Sequence, residues 1–225
     1  MLRRDFHRLC TGLAAMAAAP GAVGAVAPRV EHNRVTLVDA DGTGLKSRDI
    51  AERESWVFAY PFAASPCFLI NLGEQAEPNA HNPYALRSRD APNATLVAFA
   101  AICTHKLSHP AKAMSFITYR PPTDSVPHHR IVCCSEGSVY DAARGAQVLG
   151  GPAPAPLAAI ELSESEDGTL HAGASYAGNL YDRFFAAFEF RLALEYQIDN
   201  PRAPVENTTV VRTLAEHSAQ HIECF

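Results

Sequence analysis

Beyond its first few residues the chain has no run of lysine or arginine, and its net charge is −5. That argues against a nucleic-acid partner, because phosphate recognition needs a clustered basic face. No G-x-G-x-x-G, no P-loop and no G-x-S-x-G is present, and Ser138 in "GSV" has no nucleophile-elbow setting. Dinucleotide, nucleoside triphosphate and acyl-enzyme chemistry are therefore unwritten here, and nothing marks a catalyst acting alone. Strong helical periodicity is missing before residue 180, whereas 16 prolines and 13 glycines are spread along the chain, as in a loop-rich β protein. With 225 residues, 48% of them hydrophobic, the chain is long enough for a core that needs no staples. Its six cysteines call for some other account.

What is present begins at the N-terminus. Arg3-Arg4-Asp5-Phe6 precedes an uncharged, Ala-rich run from Leu9 to Ala27, the pattern of a twin-arginine export signal over residues 1–27. Ala25-Val26-Ala27 offers an A-x-A cleavage site, with Pro28 after it unfavourable. Pro20 and the glycines at 12, 21 and 24 make the run a poor membrane helix, so cleavage is expected and a membrane association only if the signal is kept. The expected location is the periplasm. This route exports proteins already folded, often around a cofactor, which favours a metal or cluster in the mature chain. Cys10 lies inside the signal and drops out of the chemistry.

From about Val35 short strands alternate with turns: "ESWVFAYPF", "CFLINLG", "ATLVAFAAIC", "AMSFITY", "HHRIVCC", "PLAAIELSES" and "TLHAGASYA". Residues 74–93, polar with three prolines, form a surface loop. The stretch 179–197, "NLYDRFFAAFEFRLALEYQ", is the best helix candidate, and "TTVVRTLAEHSAQHIECF" is a short helix or a tail. Exposed apolar side chains on this segment would mark a docking surface.

Two boxes carry the chemistry. Cys103-Thr104-His105 alone is a weak signal, but Cys133-Cys134-Ser135-Glu136-Gly137-Ser138-Val139-Tyr140-Asp141 follows some thirty residues later. Together they resemble the two loops of Rieske proteins, whose Cys-x-His and Cys-x-x-His hold a [2Fe–2S] cluster with both histidines on one iron. "FAYPFAASPCFLINLG", "ICTHK" and "GSVYDAARGAQVLGGPAPAPLAAIEL" are similar to the small subunit of arsenite oxidase over roughly residues 50–183. The resemblance implies an all-β fold: a larger antiparallel sandwich over 28–183, a cluster-binding subdomain at about 95–157, and a C-terminal helical extension over 184–225. It implies electron transfer between a larger, molybdenum-containing oxidoreductase subunit and a cytochrome or similar acceptor. Cys103 and Cys133 would hold the inner iron. Ser138 and Tyr140 match positions that hydrogen-bond a bridging sulfide and a ligand sulfur, and 150–156 resembles the proline-rich loop that covers the cluster.

The chain departs from that pattern at its most sensitive point. Glu136 stands where the second histidine belongs, and Ser108 and Ser135 replace the cysteines that bridge the loops in bc-type members. Three alternatives follow. Glu136 ligates the outer iron beside His105, lowering the potential because an added anion favours the ferric state. Or Cys134, His109 or a histidine of the 128–129 pair completes the set, although Cys134 adjoins a ligand and points away on extended backbone. Or the cluster is lost, leaving a non-redox scaffold that docks a larger enzyme, or a single ion held by Cys103, His105 and Cys133. Elsewhere, Cys67 reads as a small buried hydrophobe and Cys224 as a free or paired thiol; His217 and His221, four apart, would share a face on a helix.

Overall fold

The structure is a computed structural model that describes residues 27–73 and 82–224. The expected export signal lies outside them except for residue 27, and so do residues 74–81 of the expected surface loop.

Strands β1 (Val30–Val38), β2 (Trp56–Ala59), β3 (Pro66–Asn71), β4 (Leu86–Arg87) and β5 (Thr95–Ala100) open the chain, and β6 (Ile117–Arg120), β7 (Arg130–Cys133), β8 (Ser138–Asp141) and β9 (Gln147–Gly150) follow. After β10 (Ala159–Glu164) and β11 (Leu170–Tyr176) come helix α1 (Leu180–Tyr196), two short strands, β12 (Thr208–Val210) and β13 (Arg212–Thr213), and the single turn α2 (Leu214–His217). Among the described residues the larger sheet runs β12-β1-β11-β10-β5-β3-β2-β13, with β4 on β5, and the smaller runs β6-β7-β8-β9.

β3 and β5 are buried at every position. An antiparallel strand with one wet face alternates; these do not, because each faces a core on both sides. Cys67, Leu69, Leu96 and Ala98 point into the larger sheet's own interior with Val35, Leu37, Phe58 and Leu162. Phe68, Ile70, Val97 and Phe99 pack outward against Ile117, Tyr119, Ile131 and Tyr140 of the smaller sheet. A fully buried large apolar side chain contributes about 1.5–3 kcal/mol. The two strands together therefore supply a sum comparable to the whole stability of a domain.

The sandwich is one sheet folded back on itself. Its two end strands, β12 and β13, are separated by Val211 alone: the first pairs parallel to β1, the second antiparallel to β2, and Val211 points into the interior. Residues 208–225, expected as a short helix or tail, thus begin with five strand residues before the helical turn 214–217, capped reciprocally by Thr213 and Glu216. Helix α1 stands where the sequence places it. It lays Leu180, Phe184 and Phe185 over Ala100, Ile102 and Leu107 and leaves Phe190 and Leu194 exposed. Among the described residues, no helix is long and apolar enough to cross a membrane.

Burial holds His32, His109, His129, His171 and His217 below the ordinary imidazole range, so all five fold as neutral bases. On acidification the unfolded chain takes up protons near pH 6.5 that the folded chain still refuses. Stability is therefore full above that pH and falls below it, by about 1.4 kcal/mol per pH unit for each proton of difference. Urea midpoints measured at pH 7.5 and pH 5.5 are expected to drop at the lower pH; an unchanged or higher midpoint would contradict this.

Candidate metal centre

Loop 1 leaves β5 and turns at once. Cys103 N–H donates to Ser108 O at 2.8 Å and Leu107 N–H to Cys103 O at 2.9 Å. The turn puts Leu107 at φ +60°, a left-handed conformation unusual for a leucine, and burial of its side chain beneath α1 holds it there. α1 grips the same loop further on: the His109 ring meets Phe184 and Phe188 edge-on at 4.9 and 5.1 Å, and Lys112 N–H donates to Glu195 at 2.6 Å. Loop 2 is the β7–β8 hairpin, residues 134–137, closed by Gly137 N–H on Cys133 O at 2.9 Å, with Gly137 at φ +76°.

These loops bring the sequence-predicted donors together as two pairs, Cys103 with Cys133 and His105 with Glu136. Cys103 and Cys133 are each 1% exposed, free, and close enough to share a hydrogen bond. Cys133 donating to it, helped by the Tyr140 hydroxyl and the amides of His105 and Lys106, lowers the pKa of the Cys103 thiol against the opposing effect of burial. Cys133, the donor, is pushed up. The Tyr140 hydroxyl lies 3.2 Å from Cys103 Sγ and also receives Thr104 N–H at 3.3 Å. Burial keeps that phenol protonated, so it remains a donor to sulfur. Thr104 Oγ1 donates to Ala155 O at 2.7 Å, tying loop 1 to the proline-rich segment after β9.

At the outer side His105 Nδ1 faces Glu136 Oε2 at 3.2 Å. The approach lacks hydrogen-bond alignment, and that ring nitrogen is buried without a hydrogen-bond partner. Ser138 Oγ is likewise buried and without a partner. The donor set suits a two-iron sulfur cluster: a thiol pair sealed from water, an imidazole and a carboxylate at the rim, and an unpaired hydroxyl between the loops. Nitrogen and oxygen donors about 2.0–2.1 Å from one tetrahedral ion lie about 3.3 Å from each other, which is the spacing here. Among the described residues, no group of three or more His, Cys, Asp or Glu side chains is placed to hold a metal ion.

The other substitute ligands are also elsewhere. Cys134 is bonded to Cys224, His109 is held in the aromatic contacts under α1, and His129 Nδ1 meets the Tyr119 hydroxyl at 2.7 Å. His128 is nearest to Asp141, at 3.9 Å. His217 and His221 share no helical face, since α2 ends at His217; their rings reach Pro110 O and Leu214 O. Cys67 donates to Tyr60 O from a fully buried site, the small hydrophobe expected. The Cys134–Cys224 disulfide, 90 residues apart in sequence, is the feature that sequence reasoning left open.

No family model and no curated protein matches the chain. Among solved structures, the soluble domain of Rieske protein II from Sulfolobus acidocaldarius matches at a TM-score of 0.45 and 24% identity, over 65% of this chain and 79% of that one. A likeness at that score adds nothing to the geometry.

Gly151, at φ +82°, seats the proline-rich segment on loop 2: a Cβ there would strike Gly137 O and come within 2.6 Å of Ser138 Cα. Gly151→Ala is therefore expected to cost more than the roughly 1–2 kcal/mol of a left-handed alanine, because the hairpin must also move. Thermal unfolding beside Gly150→Ala, where a Cβ meets open space, checks this; equal midpoints would contradict it.

Proposed function

We propose that this chain is a periplasmic electron-transfer subunit that holds a [2Fe–2S] cluster between loops 1 and 2, with Cys103 and Cys133 on the inner iron and His105 and Glu136 on the outer. One observation carries the reading: the same two loops that present the buried thiols Cys103 and Cys133 also set an imidazole and a carboxylate 3.2 Å apart without a hydrogen bond. A bound cluster supplies reversible one-electron chemistry.

The chain's own residues set the terms of that exchange. Cys103, already the readier thiolate, and Cys133 hold negative charge out of water, and Tyr140 offsets part of it by donating to Cys103. Ser138, buried and without a hydrogen-bond partner, would be available to donate to a bound cluster. His105 and Glu136, 24% and 45% exposed at their side chains, form the solvent-facing edge through which a partner would approach. Glu136 adds an anion where an imidazole would be neutral, favouring the ferric form and a potential below that of a two-histidine centre. The segment 151–156 is held against both loops, by Ala155 on Thr104 and by Gly151 on Gly137 and Ser138.

The partners we assign are a larger oxidoreductase subunit resembling the molybdenum-containing arsenite-oxidase type, and a cytochrome or similar acceptor. The substrate of that larger subunit need not be arsenite, since function resides in its own site. The export signal supports a periplasmic location, and a disulfide supports an oxidising compartment. Membrane attachment would follow only from retention of the signal.

Protein exported by its own route and purified without oxygen is expected to carry two irons and two acid-labile sulfides per chain, with a rhombic EPR signal after dithionite. Iron-free protein would overturn the reading and leave a degenerate Rieske domain acting as a non-redox binding subunit. Glu136→His is expected to raise the midpoint potential and Tyr140→Phe to lower it, both by protein-film voltammetry. A Glu136→His variant with unchanged potential would remove Glu136 from the ligand set.

A further inference from the structure

The loop that presents Glu136 has few bonds of its own. Among the described residues the Glu136 side chain meets only His105, and the backbone around it is held by Gly137 N–H on Cys133 O and by Cys134 N–H on Phe116 O at 2.6 Å. The strongest remaining hold comes from the other end of the chain. After α2 the polypeptide runs beside the start of β6. Ala219 N–H donates to Lys112 O, Ser115 N–H to Gln220 O and Ile222 N–H to Ser115 O, at 2.8, 2.8 and 2.9 Å. Cys224 then closes on Cys134, the residue between the candidate ligand Cys133 and Ser135. Cys134 Sγ also lies 3.3 Å from Ile222 O.

The path of this tail touches both loops. Lys112 and Ser115 belong to the segment that leaves loop 1 for β6, and Cys134 opens loop 2. Three backbone hydrogen bonds and one covalent bond therefore tie residues 112–115 and 134 to a strap of seven residues. Several strap residues, Ala219, Gln220, His221 and Glu223, are exposed, so little burial would hold it without the disulfide. The two loops carry serines at 108 and 135, and among the described residues no covalent bond joins them directly.

We propose that the Cys134–Cys224 disulfide is a clasp that positions loop 2, and that Cys224 is thereby a positioning residue for the His105–Glu136 pair at a distance from it. With the bond intact, Cys134 is fixed and Glu136, two residues on, is aimed at His105. With it broken, the strap loses its end, Cys134 is held by one backbone hydrogen bond, and Glu136 samples orientations away from His105. The folded sheets do not depend on this bond, because the cores lie on either side of β3 and β5.

The inference rests in part on the proposed function, and two readouts separate their failures. The first is amide hydrogen exchange at residues 134–137 and 219–223 in wild type, Cys224→Ser and the Cys134→Ser/Cys224→Ser double variant, which removes the stray thiol beside Cys133. Exchange at both segments is expected to quicken by at least about tenfold in both variants, while β3 and β5 keep their protection. The second is the EPR line shape and midpoint potential of cluster-bearing protein, both expected to shift in the variants. Unchanged exchange overturns the clasp whether or not iron is bound. Faster exchange with an unaltered spectrum and potential overturns the positioning role and leaves a staple. Wild type without a cluster overturns the proposed function and leaves the exchange result standing. Should Cys224→Ser fail to fold, wild type before and after dithiothreitol gives the same exchange readout, the dithiol becoming a cyclic disulfide as Cys134 and Cys224 are released as thiols.

Discussion

Strands β3 and β5 form a wall shared by two cores, and the rest of the molecule depends on its being apolar on both faces. One face closes the larger sheet around Leu37, Phe58, Leu69 and Leu96; the other supports the smaller sheet through Phe68, Ile70, Val97 and Phe99. A polar side chain there needs a partner inside the fold, as Asn71 at the end of β3 has in Ile50 O and Gly73 N–H. β5 continues directly into Cys103, and β7, packed on the same wall through Ile131, ends in Cys133. The two thiols meet because both are the ends of strands fixed to one surface. A rigid origin of this kind lets short loops hold four donors with little help from their own sequence.

Burial divides the four donors. The sulfurs lie inside, where hydrogen bonds from Tyr140 and two loop amides lower the cost of a thiolate. The imidazole and carboxylate lie at the rim, 24% and 45% exposed at their side chains. The same asymmetry separates a dry side of sulfur donors from a wetter side of nitrogen and oxygen donors.

Much of this was legible in the sequence, and the reasons differ by element. β3 and β5 read as continuous apolar runs because both faces are buried, and α1 read as a helix because its apolar spacing persists over 17 residues. Cys103, His105, Cys133 and Glu136 were visible as types at fixed spacing, and two short loops on neighbouring strands allow few ways to arrange them. The closing strands β12 and β13 were not legible: three and two residues are too short for a period, and their pairing with β1 and β2 is set by contacts more than 150 residues away. Thr213 and Glu216, spaced as in a capping box, did offer a signal for α2. Cys134 looked unpromising because it adjoins a ligand on extended backbone. That same geometry, turning its side chain away from the site, sends it outward to Cys224. Disulfide partners cannot be deduced from spacing alone.

The central claim is that His105 and Glu136 share one metal ion while Cys103 and Cys133 share another. The Mössbauer spectrum of reduced, 57Fe-enriched protein tests it most directly, since it reads the ligand environment of each iron separately. The account predicts two inequivalent irons in equal amount: a ferric site of sulfur character, and a ferrous site whose isomer shift is raised by nitrogen and oxygen donors. Two equivalent irons, a single mononuclear iron, or no iron at all would contradict it.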